Sequence, residues 1–112
     1  MTEQELGIAK KIAEIEGFNA SIIHKMGDPL LDFAVHIESP SDFREPKVWF
    51  KEYNPFCWSI LGRLMVKYGV SLLKEGGYYK VVPEGMAFSI DCLPKNLEQA
   101  ILECIIKSQE GL

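Results

Sequence analysis

His24, Asp28, Asp32 and His36 recur at four-residue intervals, and theirs are the residue types in this chain best suited to holding a metal ion. Imidazole and carboxylate together suit Zn²⁺ or a similar ion, and on a continuous helix a four-residue step brings all four to one face. Pro29 stands against that helix, because an interior proline removes an N–H and clashes with the preceding turn. If the stretch is a strand from Leu30 to Ile37 instead, only Asp32 and His36 share a face. The plain expectation is that both histidines are surface or hydrogen-bonded residues and that no metal or cofactor is held. The alternative is a metal-binding or small-molecule-binding protein, an enzyme included, centred on His24, Asp28, Asp32 and His36.

The other reactive residue types are dispersed. No serine or cysteine sits in a nucleophile-elbow pattern, and the nine glycines mark helix ends and turns rather than a phosphate-binding loop. Asp42 with Glu45 and Glu14 with Glu16 read as solvated charge rather than as an acid/base couple. Cys57, Cys92 and Cys104 are far apart and odd in number, which leaves neither a disulfide framework nor a zinc pattern and predicts reduced, buried thiols. No apolar run approaches the ~20 residues of a membrane-spanning helix. The chain also begins acidic and polar, unlike a secretory signal, so a cytoplasmic protein with no membrane partner is expected. Without an export signal the sequon Asn19-Ala20-Ser21 has no physical consequence.

A net charge of -4, with lysines and arginines scattered, disfavours nucleic acid as a partner. Aromatic residues are denser. Trp49, Phe50, Tyr53, Phe56 and Trp58 fall within ten residues, and Tyr78 and Tyr79 follow. Core packing is one use for them. The other is a protein-binding surface, for which Trp49, Phe50, Tyr53, Phe56, Tyr78 and Tyr79 are the candidates. A base-stacking platform would need more cations than Arg44, Lys47, Lys51 and Arg63 supply.

The 112 residues, 47% apolar and 25% charged, suit one globular domain spanning 1–112. Thr2 and Glu5 have capping-box spacing, and Leu6, Ala9 and Ala13 with Ile8, Ile12 and Ile15 predict a helix from Glu3 to Glu16, ending at Gly17. Lys10, Lys11, Glu14 and Glu16 fall largely off that stripe. Pro29, Pro40 and Pro46 break up residues 18–53. Within them Leu30 to Ile37 reads as a strand, and Val48, Trp49 and Phe50 as an apolar cluster tucking a long connection onto the core. Asn54 as cap and Pro55 at the first helical position predict a second helix, with Trp58, Leu61, Leu64, Met65 and Tyr68 as its core stripe and Gly69 as its left-handed end.

Val70–Lys74, Tyr78–Val82 and Met86–Cys92 then predict an antiparallel meander, turned by Glu75-Gly76-Gly77 and Pro83-Glu84-Gly85. A last helix starts after Pro94 or Asn96. Leu97, Ala100, Ile101, Cys104 and Ile105 line one side of it, and Leu102 and Ile106 lie on another. That width of apolar surface predicts burial from two sides or a subunit contact.

From Tyr53 onward the order is specific. Tyr53-Asn54-Pro55, Trp58, the helix closing at Tyr68-Gly69-Val70, the meander and Leu97-Glu98-Gln99-Ala100-Ile101 together resemble the phage ABA-sandwich family, which includes NinX-like proteins. The likeness covers roughly the last 60 residues and, more weakly, the first 17; Phe18 to Glu52 departs from it. The resemblance implies an α+β fold, a layered α-β-α sandwich with an antiparallel meander and three main helices, encoded by a phage or prophage and acting in the bacterial host's cytoplasm. It transfers no active-site residue. The expected function is a non-enzymatic accessory protein that binds a host or phage protein, with a homodimer as the other form of partnership.

Overall fold

The capping box is present: the Glu5 backbone N–H donates to Thr2 Oγ1 at 3.2 Å, and the Thr2 N–H to Glu5 Oε1 at 3.4 Å. It opens α1 (Glu3–Ile15), which buries Leu6, Ile8, Ala9, Ile12 and Ala13 and carries a Lys10–Glu14 ion pair at 3.7 Å on its solvated side. The computed structural model describes residues 2–24, 33–38 and 50–110. The backbone divides into two compact units, Met1–Asn54 and Pro55–Leu112.

In the first unit α1 packs on β1 (Asn19–His24) and β2 (Phe33–Glu38). With β3 (Phe50–Tyr53) these form an antiparallel sheet in the order β1-β2-β3. Ile22 aligns with Val35, Ala20 with Ile37 and Val35 with Tyr53, so one face is mainly apolar, while Asn19, Ser21, His36, Glu38 and Glu52 share the other with Ile23 and Ala34. β2 is the strand expected between Leu30 and Ile37, in its part from Phe33. No element was expected at β1, and β3 starts at Phe50, the last residue of the apolar cluster expected to tuck a connection onto the core. Their patterns are short: β1 offers one Ile22-Ile23 pair and β3 has four residues, and pairing with β2 completes both.

The second unit contains α2 (Trp58–Tyr68), β4 (Val70–Glu75), β5 (Tyr78–Pro83), β6 (Ile90–Cys92), a 3₁₀ turn at Pro94–Asn96 and α3 (Leu97–Glu110). Its strands run antiparallel in the order β4-β5-β6, as the meander predicts. Gly76-Gly77 forms the first turn. The third strand is shorter than expected. Met86 and Phe88 are half-buried and Ala87 and Ser89 exposed, so the alternation starts at Met86, but ladder pairing is confined to Ile90–Cys92.

α2 begins three residues later than the Asn54-Pro55 pair implied. Tyr53 is held in β3, Pro55 is fully buried in the turn that follows, and Cys57 is the N-cap, its carbonyl accepting from the Ile60 and Leu61 N–H groups. Proline's fixed φ serves such a turn as readily as a first helical position. Gly69 ends α2 at φ +66°, ψ +46°, with the Glu84 N–H donating to its carbonyl at 2.7 Å.

α3 lies over all three strands and also touches α2, which answers the need for burial from two sides. Ile101, Leu102, Cys104 and Ile105 are fully enclosed, and buried Ser108 donates back to the Ile105 carbonyl at 2.8 Å. The α+β class thus holds, with three helices and two antiparallel three-stranded sheets among the described residues.

Two substitutions test this packing by chemical denaturation. A Cβ at Gly69 would sit 2.7 Å from Glu84 Oε2 and 3.0 Å from Glu84 Cβ, in the left-handed region. Gly69→Ala should therefore cost about 1–2 kcal/mol. Ile101→Ala should cost about 2–5 kcal/mol. Wild-type stability in either variant would contradict the assigned role.

Candidate functional site

The four-residue histidine and aspartate series falls in the first unit. His24 aligns with Phe33, and His36 with Ser21 and Glu52, so the two histidines occupy ladder positions three apart and of opposite parity. His36 is half-buried. Asp28 and Asp32 lie outside the described residues. Among the described residues no group of three or more His, Cys, Asp or Glu is arranged to hold a metal ion.

The six aromatic candidates divide between the units. Trp49 lies outside the described residues, and Phe50 opens β3. Tyr53 is 4% exposed and stacks obliquely on Phe18, ring centroids 6.1 Å apart and planes at 50°, so it serves the core of the first unit. Phe56 is half-buried in the turn before α2. Tyr78 and Tyr79 are consecutive on β5 and take opposite faces: Tyr79 is half-buried on the side of Val81 and Pro83, and Tyr78 is 40% exposed on the other.

That outer face of the second sheet holds surface groups of two kinds. Leu73, 49% exposed, and half-buried Val82 accompany Tyr78, with Lys80 between them and Ser71, Glu75 and Asp91 on the flanking strands. The register sets Leu73 beside Lys80 and Lys80 beside Asp91, with Glu75 opposite Tyr78 and Ser71 opposite Val82. The result is a mixed face, with Lys80 at the middle of the central strand and Leu73, Tyr78 and Val82 as apolar groups around it, the aromatic, aliphatic and charged mixture that protein interfaces use. Leu73 and Val82 were not among the sequence candidates. A signal existed: Leu72-Leu73 and Val81-Val82 are apolar doublets, and period-two alternation turns one member of each outward.

A second grouping lies at the start of α2. Trp58, expected in the core stripe, is 50% exposed, and its Nε1 donates to Glu98 Oε1 at 3.3 Å. As the first residue of the helix it points back beyond the turn that Leu61 and Leu64 bury. Cys57, expected to be buried, is exposed and shares a 3.2 Å hydrogen bond with the Ser59 hydroxyl. That side-chain bond, and then the Ser59 backbone, hold its thiol below the ordinary range. Burial raises half-buried Cys92, assisted by the Asp91 and Glu98 carboxylates, and burial pushes Cys104 up to about 11.

No helix among the described residues is long and apolar enough to cross a membrane. No protein-family model matches the chain, and no curated protein or solved structure is similar to it.

The thiols should separate kinetically. With iodoacetamide at mildly alkaline pH, Cys57 should alkylate first, Cys92 more slowly, and Cys104 only on unfolding, as peptide mass mapping would show. The reactive thiolate of Cys57 should persist to lower pH than that of a free thiol, since its pKa is depressed. Modification of Cys104 at the rate of Cys57 in the native protein would contradict the packing of α3.

Proposed function

We propose that this chain is a non-enzymatic accessory protein of a phage or prophage, acting in the bacterial cytoplasm by binding a host or phage protein. The observation that carries the binding role is the outer face of the second sheet. Leu73 and Tyr78 leave apolar surface in water, which costs free energy that a partner's apolar side chains would recover. Lys80 in the middle of the face, with Glu75 and Asp91 toward its edges, supplies charges of both signs, suited to fixing the register of a protein partner rather than to collecting a polyanion. Half-exposed Trp58 offers a second anchor of the kind that interfaces use. The phage setting rests on the resemblance of Tyr53-Asn54-Pro55, Tyr68-Gly69-Val70 and Leu97–Ile101 to the ABA-sandwich family. A second copy of the chain is the other candidate partner for the same face.

A photo-crosslinking residue at position 78, used in infected or lysogenic cells, should yield one discrete adduct. Leu73→Asp, with the crosslinker retained, should abolish it while leaving the circular dichroism spectrum unchanged. Light scattering of the purified chain distinguishes a foreign partner from a homodimer. Loss of no adduct in the Leu73→Asp protein, or no adduct at all, would overturn the assignment of this face.

A further inference from the structure

We infer that a cleft between α1 and the β1–β2 pair, within the first unit, binds a small organic amine with an apolar body. The short link through residues 16–18 turns α1 back along β1. Thirteen helical residues and six extended ones both span roughly 20 Å, so the N-terminal turn of α1 comes to the His24–Phe33 end of the strands. At the opposite end Ala9, Ile12 and Ala13 are fully buried, and the two alanines let helix and sheet approach closely. Near the N-terminal turn the layers part around an open cleft of about 410 Å³, lined among the described residues by Glu3, Leu6, Ile22 and Phe33.

The walls specify what would fit. Ile22 and Phe33 are diagonal neighbours on one sheet face, because Ile22 aligns with Val35, two residues beyond Phe33. Both belong to the face that α1 covers, yet they remain 43% and 41% exposed. The volume falls within the range of roughly 300–1,000 Å³ usual for small-molecule sites. Glu3 is the one ionisable group among the described lining residues. The capping box engages Thr2 and Glu5 and leaves the Glu3 carboxylate outside it, with no ion-pair partner among the described residues. An anion would meet that charge unfavourably, and a neutral hydrocarbon would leave it unused. An ammonium group at Glu3, with a hydrocarbon or aromatic body against Leu6, Ile22 and Phe33, meets both requirements. This site is independent of the outer face of the second sheet.

The test is an NMR titration of the isotope-labelled full chain with phenethylamine, 2-phenylethanol and 3-phenylpropionate, which share a phenylalkyl body and differ in charge. Shift changes should centre on Glu3, Leu6, Ile22 and Phe33. The amine should bind about two- to fivefold tighter than the alcohol, the range that an exposed charge pair supports, and the carboxylate should be weakest. Glu3→Gln should remove the preference for the amine and leave the alcohol's affinity in place, while Phe33→Ala should weaken all three. Shifts elsewhere, equal affinity for amine and carboxylate, or a preference that survives Glu3→Gln would overturn the inference. Concentration-dependent broadening of the Ile22 signals in a dimeric protein would also overturn it, assigning the cleft to a second copy.

Discussion

Helix α3 carries apolar residues around most of its circumference, and a single sheet face cannot enclose a helix of that kind. In the second unit the requirement is met by the three strands together with α2. Ile101, Leu102, Cys104 and Ile105 are consequently all removed from water. Each other element of the unit is placed with respect to that helix. Leu61 and Leu64 turn inward from α2, Val70 and Val81 turn inward from the sheet, and the left-handed Gly69 delivers the chain from helix to strand within one residue. At roughly 2–3 kcal/mol for each large aliphatic side chain buried, this contact is the unit's main opposition to the entropy of ordering.

The same constraint decides which surface is left for function. With α3 enclosed, its wide apolar circumference is accounted for within the second unit. The exposed large apolar groups among the described residues lie elsewhere: Leu73 and Tyr78 on the outer sheet face, Trp58 and Val66 on α2, Leu93 before the 3₁₀ turn, and Ile22 with Phe33 in the first unit. At Leu73, Tyr78 and Trp58 strand alternation or a helix end directs the side chain away from the packed layers, and Val66 lies on the face of α2 opposite Leu61 and Leu64. The three thiols follow the same logic, since the one at the start of α2 is accessible and the one in α3 is not.

Much of the second unit was legible because its signals are local. Gly69 and Gly76-Gly77 punctuate the chain, Met86 to Cys92 alternate, and α3 repeats its apolar residues at helical spacing. In the first unit only α1 and β2 carried comparable periodicity. β1 and β3 are defined by pairing to β2, a long-range condition that short segments such as Asn19–His24 do not announce. At Asn54-Pro55 two local rules competed, helix start against turn, and the strand before it decided for the turn. The candidate surface was legible in Tyr78 but not in Leu73 or Val82, whose outward placement depends on which member of an apolar doublet faces α3.

Native-state hydrogen exchange, read residue by residue, tests the central claim most directly. If enclosure of α3 organises the second unit, the amides of residues 101–106 and those of the central strand β5 will exchange together and slowest in that unit, through one cooperative opening. Exchange of the α3 amides well ahead of β5, at rates typical of a fraying surface helix, would contradict it.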